Sequence, residues 1–157
     1  MRLLAVVVGV VLLGCGASES TPEPYQGHRL VGVWNGEGLG GAEGDSHLPT
    51  TDQEWKEFLA EPEASFVQFV FRADGTALLG GLMLGHQVAD ESTWQIIEEQ
   101  GNRISLRMTD EQGRVDDSMT VTFEDEDTMY MPHPGEGTER MYLRRTARVA
   151  PVPWLQD

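Results

Sequence analysis

Arg103-Ile104-Ser105-Leu106-Arg107-Met108, then Gln112-Gly113, then Ser118-Met119-Thr120-Val121-Thr122-Phe123-Glu124: this stretch decides the fold. Ile104, Leu106 and Met108 alternate with Arg103, Ser105 and Arg107. Met119, Val121 and Phe123 alternate with polar neighbours in the same way. Successive side chains of a strand point to opposite faces, so alternation of this kind marks two half-buried strands. The intervening glycine marks the turn that joins them.

The same period recurs on either side. Val67, Phe69 and Phe71 share a face, and Ala73-Asp74-Gly75 is a strong hairpin signal before Thr76-Ala77-Leu78-Leu79. Trp94-Gln95-Ile96-Ile97 reads as a strand turned by Gln100-Gly101-Asn102. Met129 and Met131 form a short strand, and Met141 and Leu143 alternate with Arg140, Tyr142 and Arg144. Leu30-Val31-Gly32-Val33-Trp34 is the first strand. That makes about eight strands with short connections, which favours antiparallel neighbours over a βαβ sheet. An up-and-down barrel removes the free edges of such a set by closing. One short helix interrupts the pattern after the first strand. Thr51 and Glu54 fit a capping box, Trp55, Phe58 and Leu59 fall on one helical face, and Glu61-Pro62 ends it.

The N-terminus reads as an address. Met1-Arg2 is followed by an apolar run from Leu3 to Leu13, too short for the roughly 20 residues of a membrane span but the length of a signal-peptide core. The run closes on Leu12-Leu13-Gly14-Cys15, which resembles the lipobox of bacterial lipoproteins. The resemblance implies cleavage after Gly14 and a lipid on Cys15, the one cysteine of the chain. It also implies a cell-envelope location. Gly16 is not an aspartate-type retention signal, so by the same resemblance the outer membrane is expected. The expected organisation is a signal peptide over residues 1–14, lipidated cysteine and flexible tether over 15–28, a barrel domain over 29–146 and an extended tail over 147–157.

The barrel segment resembles the lipocalins. The residues that carry this are Gly32-Val33-Trp34, matching the Gly-x-Trp of their first strand, the hairpin Phe71-Arg72-Ala73-Asp74-Gly75-Thr76, and an arginine-rich closing strand. The chain has no Thr-Asp-Tyr element, and its helix stands early. The resemblance implies that Gly32 and Trp34 close one barrel end under an arginine, Arg144 or the adjacent Arg145, in a cation–π contact. It further implies room for a small apolar molecule inside.

Candidate ligand-binding residues follow from that. Met108, Met119, Met129 and Met141 lie on apolar strand faces, where methionine either fills an irregular core or lines an adaptable cavity. Trp55 and Phe58 on the helix either cap the barrel mouth or dock the helix on the core.

Composition narrows the partners. A formal charge of −15 repels phosphate backbones, so nucleic acid is not an expected partner, whereas a basic protein is electrostatically suited. Gly36-Glu37-Gly38-Leu39-Gly40-Gly41 has dinucleotide-loop spacing, but no helix pattern follows it and the neighbourhood is acidic. His28, His47, His86 and His133 show no metal-ligand spacing, and Glu124-Asp125-Glu126-Asp127 reads as a solvated turn. No cofactor, metal or catalytic constellation is expected. The expected function is a membrane-tethered binding module holding a small hydrophobic ligand. The alternative is an acidic interaction or inhibitor domain for a basic partner.

Overall fold

A computed structural model of the chain describes residues 24–37, 49–61, 64–83, 86–132 and 140–152. The lipobox and Cys15 lie outside these residues. In chain order the elements are β1 (Gly32–Glu37), α1 (Asp52–Ala60), β2 (Phe66–Phe71), β3 (Thr76–Met83), β4 (His86–Gln100), β5 (Arg103–Asp110), β6 (Val115–Asp116), β7 (Thr120–Phe123), β8 (Thr128–Pro132) and β9 (Arg140–Thr146).

Every strand pairing is antiparallel. Each strand lies beside its sequence neighbour, except that β6 and β7 both pair with β5. The ring closes where β1 pairs with β9, so the molecule is an eight-stave up-and-down barrel in which β6 and β7 share one stave. The Asp74-Gly75 turn between β2 and β3 forms as the sequence predicts. Gly75 takes a φ of 90°, and Asp74 Oδ1 accepts from the Thr76 amide at 2.8 Å.

Alternation sorts the side chains into two cores. The inner one gathers Trp34, Phe69, Phe71, Trp94, Ile104, Leu106, Val121, Met129 and Leu143, among others, within the barrel. The second lies outside the wall. Phe66 and Val70 of β2 and Leu78 of β3 point away from the barrel axis and are covered by Trp55 of α1 and by Ala150 and Val152. Strand β2 is therefore buried on both faces along its whole length.

This placement decides between the two readings of the helix, takes Trp55 and Phe58 out of the expected ligand-binding set, and moves an expected boundary. The helix forms with its capping box intact and stops at Glu61, but it docks on the outer wall and does not stand over a mouth. Trp55 meets Phe66 at 5.1 Å and Phe58 at 5.7 Å, both edge to face. Trp55 and Phe58 are thus no part of the barrel lining. The reason is the apolar outer face of β2 and β3, which gains most from an amphipathic partner. Residues 147–152, expected as a tail beyond the domain, are integral to it. Ala150 is fully buried, and its amide donates to Gln68 Oε1 at 2.9 Å. The Gln68 amide nitrogen donates to the Arg148 carbonyl at 3.3 Å and also to Asn35 Oδ1. Arg148 pairs with Asp52 at the start of the helix, so segment and helix are clamped together.

Gln68→Ala is expected to release this clamp. It strands a buried amide and carbonyl, at a cost of about 1–3 kcal/mol. Hydrogen exchange at the Ala150 amide then accelerates while amides of β8 and β9 keep their protection. Unchanged protection at Ala150 would show that apolar contact alone holds the segment.

Candidate binding site in the barrel wall

At the end of the barrel where β1 begins, residues 24–31 run across the opening. The Tyr25 ring stacks on Trp94 with centroids 4.0 Å apart, and the Tyr25 amide donates to the Ala73 carbonyl. Trp94 Nε1 donates to the Thr76 carbonyl at 3.0 Å, and Trp34 Nε1 to the Leu30 carbonyl at 2.8 Å. Trp34, Trp94 and Leu30 are all 1 % exposed or less. This end is sealed. Because Tyr25 and His28 take part in the seal, the folded unit starts earlier than the expected boundary at residue 29.

Arg145, not Arg144, covers Trp34. Its guanidinium carbon sits 4.3 Å from the ring centroid, and the guanidinium donates to the carbonyls of Val31 and Arg29. The register explains the choice: Trp34 is the β-partner of Arg145, on the inward row with Leu143 and Met141, whereas Arg144 takes the outward position. Gly32 makes the contact feasible. It adopts a φ of 145°, and a Cβ there would lie 2.7 Å from Arg145 Nη1.

The links at the other end, residues 38–48, 62–63, 84–85 and 133–139, lie outside the described residues. Between β3 and β6 a cavity of about 360 Å³ opens at a mouth in the barrel wall, floored by Phe69, Ala77, Leu79, Met108 and Met119. Asp90 and Ser92 of β4, Asp110 of β5, Arg114, and Asp116 of β6 line it from the polar side. A volume of this size is at the small end of ligand pockets, about 300–1,000 Å³. Burial pushes the Asp110 carboxyl up, but the amide and guanidinium of Arg114 outweigh it and hold it below the usual carboxylate range. The hydroxyl and amide of Ser118 do the same for Asp116. Both are anionic at neutral pH.

The methionines divide between the two readings of their role. Met108 and Met119 are partly exposed and meet at the cavity. Met129 and Met141 are buried and, with Met131 and Leu143, fill the side of the barrel formed by β8 and β9, away from this cavity. The polar lining was missed in the sequence. The available signal is the inward row of β4, where Asp90 and Ser92 stand in phase with Trp94.

The remaining candidates fall elsewhere. His28 lies 3.4 Å from Glu99 at the sealed end, His86 is exposed at the start of β4, and His47 and His133 are outside the described residues. The Glu124–Asp127 turn is bound to Arg145 through Asp127 at 3.3 Å. Among the described residues no group of three acidic, histidine or cysteine side chains is placed to hold a metal ion, and no helix is long and apolar enough to cross a membrane. No protein-family model, curated protein or solved structure matches this chain.

Proposed function

We propose that this protein is a binding module that holds a small hydrophobic molecule in the cavity between β3 and β6 of its barrel and is tethered to a bacterial envelope membrane by lipid on Cys15. The observation that carries the reading is the cavity between β3 and β6, whose floor of Phe69, Leu79, Met108 and Met119 is apolar.

The tether fits this arrangement. Pro24, the first described residue, adjoins the sealed end, and Cys15 is nine residues upstream of it. Nine residues of random coil span about 17 Å on average. A lipid on Cys15 then keeps the end that carries Tyr25 near the membrane, with the mouth reached from the aqueous space. The ligand is then taken from, or passed to, that space.

The test uses the full chain, processed in a bacterial host and placed in phosphatidylcholine nanodiscs, with its methionine methyls labelled for NMR. Octan-1-ol is the probe, and empty nanodiscs correct for partition. The methyl signals of Met108 and Met119 shift on titration, while those of Met129 and Met141 stay. No shift, or equal shifts at all four, contradicts a defined site at the mouth. In the same host, Cys15→Ser moves the protein out of the membrane fraction. Retention of the variant would sink the lipid tether and leave the pocket standing.

A further inference from the structure

The apolar floor and the charges above it do not suit every hydrophobic ligand equally. Inward rows of a barrel ordinarily carry apolar residues. On β4 the inward row runs Ile96, Trp94, Ser92, Asp90, and on β5 it runs Leu106, Met108, Asp110, so both rows turn acidic toward the mouth. Asp90 is the β-partner of Leu79, Asp110 of Ser92, and Asp116 of Met108. Each carboxylate therefore stands one or two residue steps from the floor, roughly 5–7 Å.

Three carboxylates face one cation in this lining. Arg114 is committed to Asp110, with Nε 2.5 Å from Oδ2, and its side chain is 79 % exposed. It offsets one charge of the three. Asp90 has no side-chain hydrogen bond or ion pair among the described residues, and Asp116 accepts only from the neighbouring Ser118. A ligand carboxylate entering here meets net repulsion, and a neutral ligand gains from the floor alone. A cation on an apolar stem gains from both.

Given the reading of the mouth as a binding site, on which this rests, we propose that its ligand is a cationic amphiphile: an alkyl or aryl group carrying a protonated amine. The stem lies against Phe69, Leu79, Met108 and Met119. The ammonium group sits at the rim between Asp90 and Asp116.

The test compares n-octylammonium, octan-1-ol and octanoate on the full chain in phosphatidylcholine nanodiscs, read at the Met108 and Met119 methyls. At low salt octylammonium binds about fivefold to tenfold tighter than octanol, and octanoate binds most weakly. The advantage of the amine shrinks as salt rises, because these carboxylates are open to solvent. In the double variant Asp90→Asn, Asp116→Asn the amine loses its advantage and binds no tighter than the alcohol; the unaltered Met129 and Met141 signals report that the barrel is intact. Equal binding of the three probes to the unmodified chain, or a preference that survives the double variant, overturns the cationic ligand while leaving the pocket. Absence of any shift with all three overturns the pocket reading and this inference together.

Discussion

Trp34→Ala lowers the stability of the barrel by about 3–5 kcal/mol, the range for truncating a buried aromatic residue. The ring is fully buried, donates to the Leu30 carbonyl, presents its face to Arg145 and meets Phe123 edge to face at 5.7 Å. Truncation removes the apolar contact, leaves the Leu30 carbonyl without this donor and exposes Arg145 to an empty space. Domains of this size are stable by only about 5–15 kcal/mol, so the loss brings the variant close to unfolding at physiological temperature. Urea titration of the two chains gives the difference. Trp34→Phe keeps most of the ring contact and loses the hydrogen bond, so its midpoint falls between the other two. A midpoint for Trp34→Ala within 1 kcal/mol of the unmodified chain, an effect ordinary for surface sites, would mean that the sealed end does not organise the barrel.

Met119→Trp blocks the mouth. The larger ring occupies the space between Phe69, Leu79 and Met108, and octanol affinity falls roughly a hundredfold, equivalent to about 3 kcal/mol of lost apolar contact. Stability changes little, by about 1 kcal/mol or less, since Met119 is partly exposed and the cavity accepts the added volume. The same substitution at Met129 behaves in the opposite way. That side chain is fully buried in a filled region, so overpacking there costs about 1–3 kcal/mol and leaves octanol binding at the mouth in place. Equal loss of binding from both variants would point to a general loosening of the barrel and away from a site between β3 and β5.

How much of this was legible can be argued from particular residues. The barrel was, because Ile104-Leu106-Met108 and Met119-Val121-Phe123 face a single core and so carry clean alternation. The turn at Asp74-Gly75 and the capping box at Thr51 and Glu54 were also legible, being local hydrogen-bond chemistry. Strand β2 was legible in half. Val67, Phe69 and Phe71 announced an inner face, but Phe66 and Val70 on the other side make the run Phe-Val-Gln-Phe-Val-Phe almost continuously apolar. A continuous run signals a strand covered on both faces, and reading it so would have put α1 on the outer wall. The burial of Ala150 and Val152 had no signal of its own, since an irregular segment packs without periodicity. The choice between Arg144 and Arg145 depended on register, which adjacent arginines leave open. At the mouth, Asp90 and Asp110 read as ordinary acidic residues in a chain of charge −15, and only pairing with Leu79 and Ser92 sets them around a cavity.

The central claim, that the mouth holds a small hydrophobic molecule, is tested most directly by native mass spectrometry of the full chain purified gently from the cells that produce it. The account predicts an added mass of a few hundred daltons, the size a pocket of this class encloses, lost on denaturation and absent from Met119→Trp. A clean ligand-free mass, or an adduct retained equally by Met119→Trp, would contradict it.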